Sequence, residues 1–351
     1  MPPSGAVMPT MFSWATPPWC RRDLVFENSV PGVARALGAH LDPINECPRV
    51  VNRSTLENWV ILVTAPISGP TGERKPTIKD VPNRLPDYTN PPVIEVVAGV
   101  GFAPIAGFKT VHVGLLWERF RRDFPQVEEH PPIVMPPELL TPVGQLGEIQ
   151  FVDTPPLPRV WFLDAAGNGI VQVQRDALLH NWRKLKDDDK YPRFKVVIAE
   201  FRDHFSRLAD FAREQKLGAV LPLQYELNYV NHIFPGEHWD QGKTLNAIFP
   251  DFQWRQDRSR FLPPAYEAAQ WRTAFRLPDD AGRLHITIQT GFKRPDNSPI
   301  LILEMKARGM AKDQSFDSIW KWFDLAHEWI VKGFADLTDK TLQSRLWGAK
   351  Q

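Results

Sequence analysis

The chain has 351 residues, of which 43% are hydrophobic and 24% are charged, so most of it is expected to fold. Its 42 lysines and arginines nearly balance its 41 aspartates and glutamates, which gives a net charge of +1. This balance argues against a polybasic protein that binds nucleic acid or an anionic membrane. The two cysteines exclude a scaffold built on disulfides.

The first 90 residues differ from the rest of the chain in proline content. They hold thirteen of the 34 prolines and no sustained helical or strand periodicity. This composition predicts a disordered tail or an over-extended gene start, since no methionine occurs between Met11 and Met135. The longest apolar run here, Trp59–Ala65, is too short to span a membrane. The first twenty residues also lack the basic region with which an export signal begins. We therefore expect a cytoplasmic protein without a membrane anchor.

Residues 91–218 predict a strand, a helix, three strands and a second helix. The first strand is Val93–Phe102, and a helix beginning at Thr110 buries positions spaced i, i+3, i+4 and i+7. Residues 125–158 predict an irregular loop. The next strands are predicted at Val160–Asp164, Ile170–Arg175 and Leu178–Lys184, and they precede an amphipathic helix that Gly218 ends.

Residues 219–351 predict a similar order. Leu223–Phe234 is a strand, and a short helical segment is predicted around Thr244–Phe249. Three strands and a helix that begins near Ser315 follow; the strands are Ala268–Leu277, Arg283–Phe292 and Ile300–Arg308. We therefore predict one α+β domain of two halves, each β-α-β-β-β-α. Its antiparallel sheet carries long helices on one face, in a TATA-binding-protein-like or helix-grip-like arrangement.

Amides and arginines recur at strand positions where charged residues or threonine are more usual. Such side chains offer fixed hydrogen-bond donors and acceptors to a planar polar group, and asparagine has low strand propensity. We predict that the sheet presents them together as a ligand-binding set: Gln172, Gln174, Arg175, Asn181, Arg183, Asn228, Asn231 and His232.

Motifs for catalysis and metal binding are sparse. No nucleophile elbow or phosphate-binding loop occurs, and Gly99-Val100-Gly101 lacks the third glycine of a dinucleotide fingerprint. An enzyme acting on a small polar substrate would need His232 or His112 beside a carboxylate, the candidates being Glu95, Glu118 and Glu226. The loop with His232, Glu237, His238 and Asp240 matches no compact zinc spacing, so we predict no metal and no cofactor.

The segment Trp254–Arg260 combines an aromatic residue with three arginines, which suits stacking on a single-stranded nucleic acid. Asp257 dilutes its charge, and the whole chain is almost neutral. We therefore expect nucleic-acid binding to be the weakest of the alternatives.

Three further segments resemble signatures of an uncharacterised protein family that is sporadically distributed in bacteria and archaea. They are Asn90–Val97, Val171–Arg175 with Asn181–Arg183, and Tyr225–Ile233. The resemblance covers residues 88–350 and implies no activity. We predict a non-enzymatic binding or adaptor module for a neutral polar ligand or a protein partner. An enzyme and a single-stranded nucleic-acid binder remain as alternatives.

Overall fold

A computed structural model describes residues 84–138, 140, 157–236, 245–254, 259, 261–262, 266–294, 296–310 and 315–350. All of them belong to one compact unit, Ile78–Gln351. They include nine strands in a single antiparallel sheet of order β2-β3-β4-β5-β1-β6-β9-β8-β7. The strands are β1 (Val93–Phe102), β2 (Gln126–His130), β3 (Arg159–Leu163), β4 (Gly169–Gln174), β5 (Ala177–Arg183), β6 (Pro222–Ile233), β7 (Gln270–Arg276), β8 (Arg283–Lys293) and β9 (Ser298–Met310).

Four helices accompany the sheet: α1 (Thr110–Trp117), α2 (Phe194–Glu214), α3 (Phe316–Leu337) and α4 (Lys340–Trp347). The two long helices, α2 and α3, pack antiparallel, since Phe194 stacks on His327 and Phe205 contacts Phe316. Ser315 caps α3 as its position predicts, because its hydroxyl accepts a hydrogen bond from the Ser318 amide. The prediction of an antiparallel α+β sheet with long helices on one face is confirmed.

The alternation of side chains along each strand separates two faces of the sheet. Tyr225, Leu227 and Tyr229 of β6 point into the core beneath the helices, as do Val96 and Ala98 of β1. Each large apolar side chain buried there stabilises the fold by about 1.5–3 kcal/mol. We call the opposite side, which the helices leave uncovered, the open face.

The segments before and after residue 218 meet at the centre of the sheet. There β1 pairs with β6. From β1 the sheet continues outward through β5, β4, β3 and β2, and from β6 it continues through β9, β8 and β7. The helix α2 follows β5 in the chain, and α3 follows β9. This order brings the polar residues of β4, β5, β1, β6 and β9 next to each other on the open face.

Three local predictions were incomplete. The predicted loop at 125–158 contains an edge strand, β2, whose sequence Gln-Val-Glu-Glu-His has no apolar alternation because most of its side chains are exposed. The helix α4 was not predicted. Tyr88 lies before the predicted domain boundary at residue 90, yet it is buried against Phe334 and Trp347. Within the described residues, the helices are all too short or too polar to cross a membrane.

Candidate functional site

Six of the eight predicted ligand-binding residues share the open face. Residues directly opposite in an antiparallel sheet point to the same side, and Val97 of β1 lies opposite both Asn181 and Asn228. Side chains on a strand alternate between the two faces, so Arg183 lies on the same face as Asn181, and His232 on the same face as Asn228. Gln172 and Gln174 lie opposite Leu179 and Ala177, which share the face of Asn181. The open face therefore carries Gln172, Gln174, Asn181, Arg183, Asn228 and His232.

The other two residues lie elsewhere, so the prediction of one shared surface is corrected for them. Asn231 is an odd number of positions from Asn228 and His232 and therefore points to the helix side, where its amide donates to the Leu303 carbonyl at 3.1 Å. Arg175 follows the end of β4 and lies exposed in the turn to β5.

A chain of hydrogen bonds crosses the open face from β3 to β1. Arg159 donates to Gln172 at 3.0 Å, Gln172 donates to Asn181 at 2.7 Å, and Asn181 donates to Glu95 at 2.7 Å. Burial raises the pKa of Glu95, although the hydrogen bond from Asn181 and the charge of Arg183 oppose this effect. Because Gln172 and Asn181 are buried and each is hydrogen-bonded through both its amide oxygen and its amide nitrogen, they orient their neighbours more than they offer free groups.

A second polar group lies beside this chain, on β6 and β9. Asn228 donates to the Glu304 carboxylate at 2.8 Å, and Lys306 pairs with the same carboxylate at 3.1 Å. The side chains of Glu304 and Lys306 keep 20% and 29% of their exposure. The Asn228 Oδ1 is buried and has no hydrogen-bond partner within the described residues. We call Glu95, Asn228, Glu304 and Lys306 the central patch.

The segment Pro131–Glu138, which we call the strap, leaves β2 and lies on the open face. Gln174 binds the main chain of Ile133 twice: its Oε1 accepts from the amide at 3.1 Å, and its Nε2 donates to the carbonyl at 2.8 Å. Further along, the Gln224 Oε1 accepts from the Glu138 amide at 2.7 Å. Ile133 and Met135 pack on Val97, Ala177 and Leu179. The face therefore holds an extended, proline-rich segment by its backbone as well as by its apolar side chains.

An ionic cluster anchors the end of the strap. The Glu138 carboxylate pairs with Arg283 at 2.8 Å, with His285 at 3.0 Å and with Arg308 at 3.7 Å. Arg308 also donates to the Pro136 carbonyl. Burial acts to raise the pKa of Glu138, but the hydrogen bonds from His285 and Arg283 outweigh it and hold the pKa below the usual value. The carboxylate is therefore ionised at neutral pH.

Among the residues that hold the strap, sequence reasoning named Gln174 as a candidate but missed the others. Gln224 alternates with Glu226 and Asn228 on β6, so the amide pattern extended to Gln224 could have found it. Glu138 gave no signal, because it belongs to a segment without periodicity. Arg283 and Arg308 sit on strands where exposed arginines are common.

The residues proposed for an enzyme form no acid–base pair. His112 lies on α1 and accepts a hydrogen bond from the Lys109 amide at 2.9 Å, so it caps the helix. Glu118 pairs with Arg121 at 3.0 Å just after α1. His232 lies on the open face, where burial and the charge of Lys293 lower its pKa to about 4. Within the described part of the chain, neither histidine contacts Glu95, Glu118 or Glu226 by a hydrogen bond.

The remaining candidates fall mostly outside the described residues. That is the case for Glu237, His238 and Asp240 of the metal candidate, and for residues 255–258 and 260 of the nucleic-acid candidate. Trp254 itself meets Tyr266 edge-to-face, with ring centroids 6.0 Å apart. Among the described residues, no three side chains are grouped so that they could hold a metal ion.

The chain was compared with protein-family models, with curated proteins and with solved structures, and no match was found. The site must therefore be interpreted from its own geometry.

Proposed function

We propose that this protein is a non-enzymatic binding or adaptor module that takes up an extended polypeptide segment of a partner on the open face. The observation that carries the proposal is the pair of amides, Gln174 and Gln224, which hold the main chain of the strap. A surface that binds one extended segment through backbone groups is suited to bind another beside it.

The central patch supplies the contacts for that second segment. Asn228 offers an acceptor without a partner in the described residues, and Lys306 offers ammonium donors that solvent still reaches. Lys306 is paired with Glu304, and burial raises the pKa of Glu95 and so favours its neutral form; the patch therefore suits a segment of low net charge. A buried acceptor that stays unpaired costs about 1–3 kcal/mol, and an incoming amide N–H would remove this cost.

Selection from a displayed library of twelve-residue peptides tests the proposal. We expect enrichment of extended, uncharged sequences that bind the wild-type protein. Binding to N228L and K306A should be weaker by about tenfold, which corresponds to 1.4 kcal/mol. The control K321A, an exposed lysine on α3, should bind as the wild type does. Two results would contradict the proposal. One is the absence of enriched peptides, and the other is binding to N228L and K306A that is as strong as binding to the wild type.

We further propose that the sheet is an internal duplication with a TATA-binding-protein-like arrangement. The support is the order of strands outward from β1 and from β6, with one long helix after the last strand of each half. A superposition of β1, β3–β5 and α2 on β6–β9 and α3 tests it, since a duplication requires these elements to match in order and direction. Membership of the sporadically distributed family over residues 88–350 is likewise a proposal.

A further inference from the structure

A cavity of about 780 Å³ lies on the helix side of the sheet, away from the open face. The helix α2 begins at Phe194, where its ring stacks on His327, and α3 continues past this point to Leu337. The space beside the overhanging part of α3 is the cavity. Tyr229 and Met305 of the sheet line it, and the segment before β1 contributes Tyr88.

The polar groups deepest in the cavity wall, Tyr191, Tyr229 and His327, are uncharged at neutral pH. The hydroxyls of Tyr191 and Tyr229 are 2.8 Å apart, and burial raises the pKa of both phenols. Burial also lowers the pKa of His327 to about 4, so its imidazole is neutral at physiological pH. His327 makes no hydrogen bond to another of the described residues, which leaves its ring nitrogens available.

Most of the charged side chains that line the cavity are paired and partly exposed to solvent. Lys350 pairs with Asp87 at 2.6 Å, Arg193 pairs with the same carboxylate at 3.3 Å, and Lys332 pairs with Glu328 at 2.5 Å. Lys195 and Asp324 also line the cavity, which leaves one cation in excess. Because these charges are exposed to solvent or already paired, they would attract a charged ligand only weakly, and the desolvation of that ligand would oppose binding.

Arg193 adds an independent sign of a functional site. Its backbone has φ 80° and ψ 153°, a region that glycine alone adopts readily. Its side chain donates to the Tyr88 carbonyl at 2.9 Å and thereby fixes the segment that closes the cavity. Strain of about 1–3 kcal/mol persists only where the surroundings enforce it, and such residues concentrate at ligand sites.

We propose that this cavity binds an uncharged aromatic small molecule that carries a hydrogen-bond donor. Its volume lies within the range of about 300–1,000 Å³ that small-molecule sites occupy. Aromatic side chains in the wall favour a flat ligand. They are Tyr88, Tyr191, Phe194, Tyr229 and Phe334. The ligand donor would pair with the His327 ring nitrogen. This site is separate from the proposed peptide surface.

Binding of N-phenyl-1-naphthylamine tests the inference, because this probe is uncharged, aromatic and has one N–H donor. We expect enhanced, blue-shifted fluorescence on binding to the full chain. The sulfonated analogue 8-anilinonaphthalene-1-sulfonate should bind about tenfold more weakly, because paired and solvent-exposed cations offset little of the cost of desolvating its sulfonate. Equal affinity for the two probes, or no binding of the uncharged one, would overturn the proposal.

Two variants locate the probe. V331W fills the cavity and should weaken binding about tenfold, whereas V196W on the exposed side of α2 should not change it. H327F keeps the stack on Phe194 and removes the ring nitrogens, so binding should fall about fivefold, while H232F on the open face serves as its control. If V331W does not fold, the binding of the probe to H327F alone decides whether the probe occupies the cavity. Unchanged binding to H327F, or to a folded V331W, would overturn the assignment.

Discussion

The side chain of Gln174 pairs with the main chain of Ile133 as a neighbouring strand would, donating one hydrogen bond and accepting another. The pair couples a buried position of the sheet to a segment that has no secondary structure of its own. It is the clearest instance of how the open face recognises an extended chain, and it makes the strap sensitive to single substitutions.

Q174L should release the strap near Ile133. The leucine leaves the Ile133 amide and carbonyl without their side-chain partner, so we expect the free energy of unfolding to fall by about 1–3 kcal/mol. Hydrogen exchange of residues 131–138, followed by mass spectrometry, should become faster. Q126L on the exposed edge strand is the matched control and should leave exchange in the strap unchanged. Unchanged exchange in Q174L would contradict this role.

E138Q should loosen the other end of the strap. It keeps the size of the side chain but removes the charge that Arg283 and Arg308 share, so a loss of about 1.5–3 kcal/mol is expected in urea unfolding at pH 7. The pKa of Glu138 is lowered in the folded state, so its stabilisation is present at neutral pH and is lost as the pH falls through that pKa. The difference between wild type and E138Q should therefore shrink in acid. The exposed E129Q is the control, and a constant difference at all pH values would refute the assignment.

Three histidines, His204 buried and His232 and His327 half-buried, predict that the fold weakens in mild acid. Burial lowers the pKa of His204 to about 2 and the pKa of His232 and His327 to about 4. Between these values and about 6.5 the unfolded chain binds protons that the folded chain does not, so stability decreases as pH falls. Each histidine contributes about 1.4 kcal/mol per pH unit in that range. Urea unfolding at pH 7.5, 6 and 5 measures the slope.

H204F separates the contribution of one histidine. Both ring nitrogens of His204 are buried without a hydrogen bond, and the ring lies among Phe120, Phe124 and His180. Phenylalanine should be tolerated there and should remove about one third of the histidine-dependent slope. The same slope in H204F and wild type would show that His204 is protonated in the folded state.

Comparison of R193G with R193A tests the backbone strain at the cavity. Both variants lose the hydrogen bonds to Asp87 and to the Tyr88 carbonyl. Only glycine adopts φ 80° and ψ 153° readily, so R193G should be more stable than R193A by about 1–2 kcal/mol in urea unfolding. Equal stabilities would mean that the strain is relieved by local rearrangement.

Apolar periodicity predicted the strands and long helices because each buries one side. The strand Val93–Phe102 was predicted to the residue, and Ser315 marked the start of α3. The edge strand β2 was missed because its side chains lie mostly in solvent, so its sequence does not alternate between apolar and polar residues. Alternation placed Gln172 with Gln174 on one face of their strand, and Asn181 with Arg183 on one face of the next strand. It does not reveal that Gln172 and Asn181 bind each other, because side-chain pairing between strands depends on strand order.

The strap and the cavity depend on contacts between distant parts of the chain. Glu138 meets Arg283 across 145 residues, and Tyr88 meets Phe334 across an even longer separation. Such pairs follow from the order of the strands and the packing of the helices, and local sequence patterns do not contain them.

The most direct test of the account is to locate a selected peptide on the protein. A peptide from the library carries one photoreactive benzophenone side chain, and mass spectrometry identifies the residues to which it attaches. We predict attachment to open-face positions of β6, β8 and β9, such as Val230, Thr287 and Lys306, and loss of attachment in N228L. Attachment confined to α1, α2 or α3, on the opposite side of the sheet, would contradict the proposed binding surface.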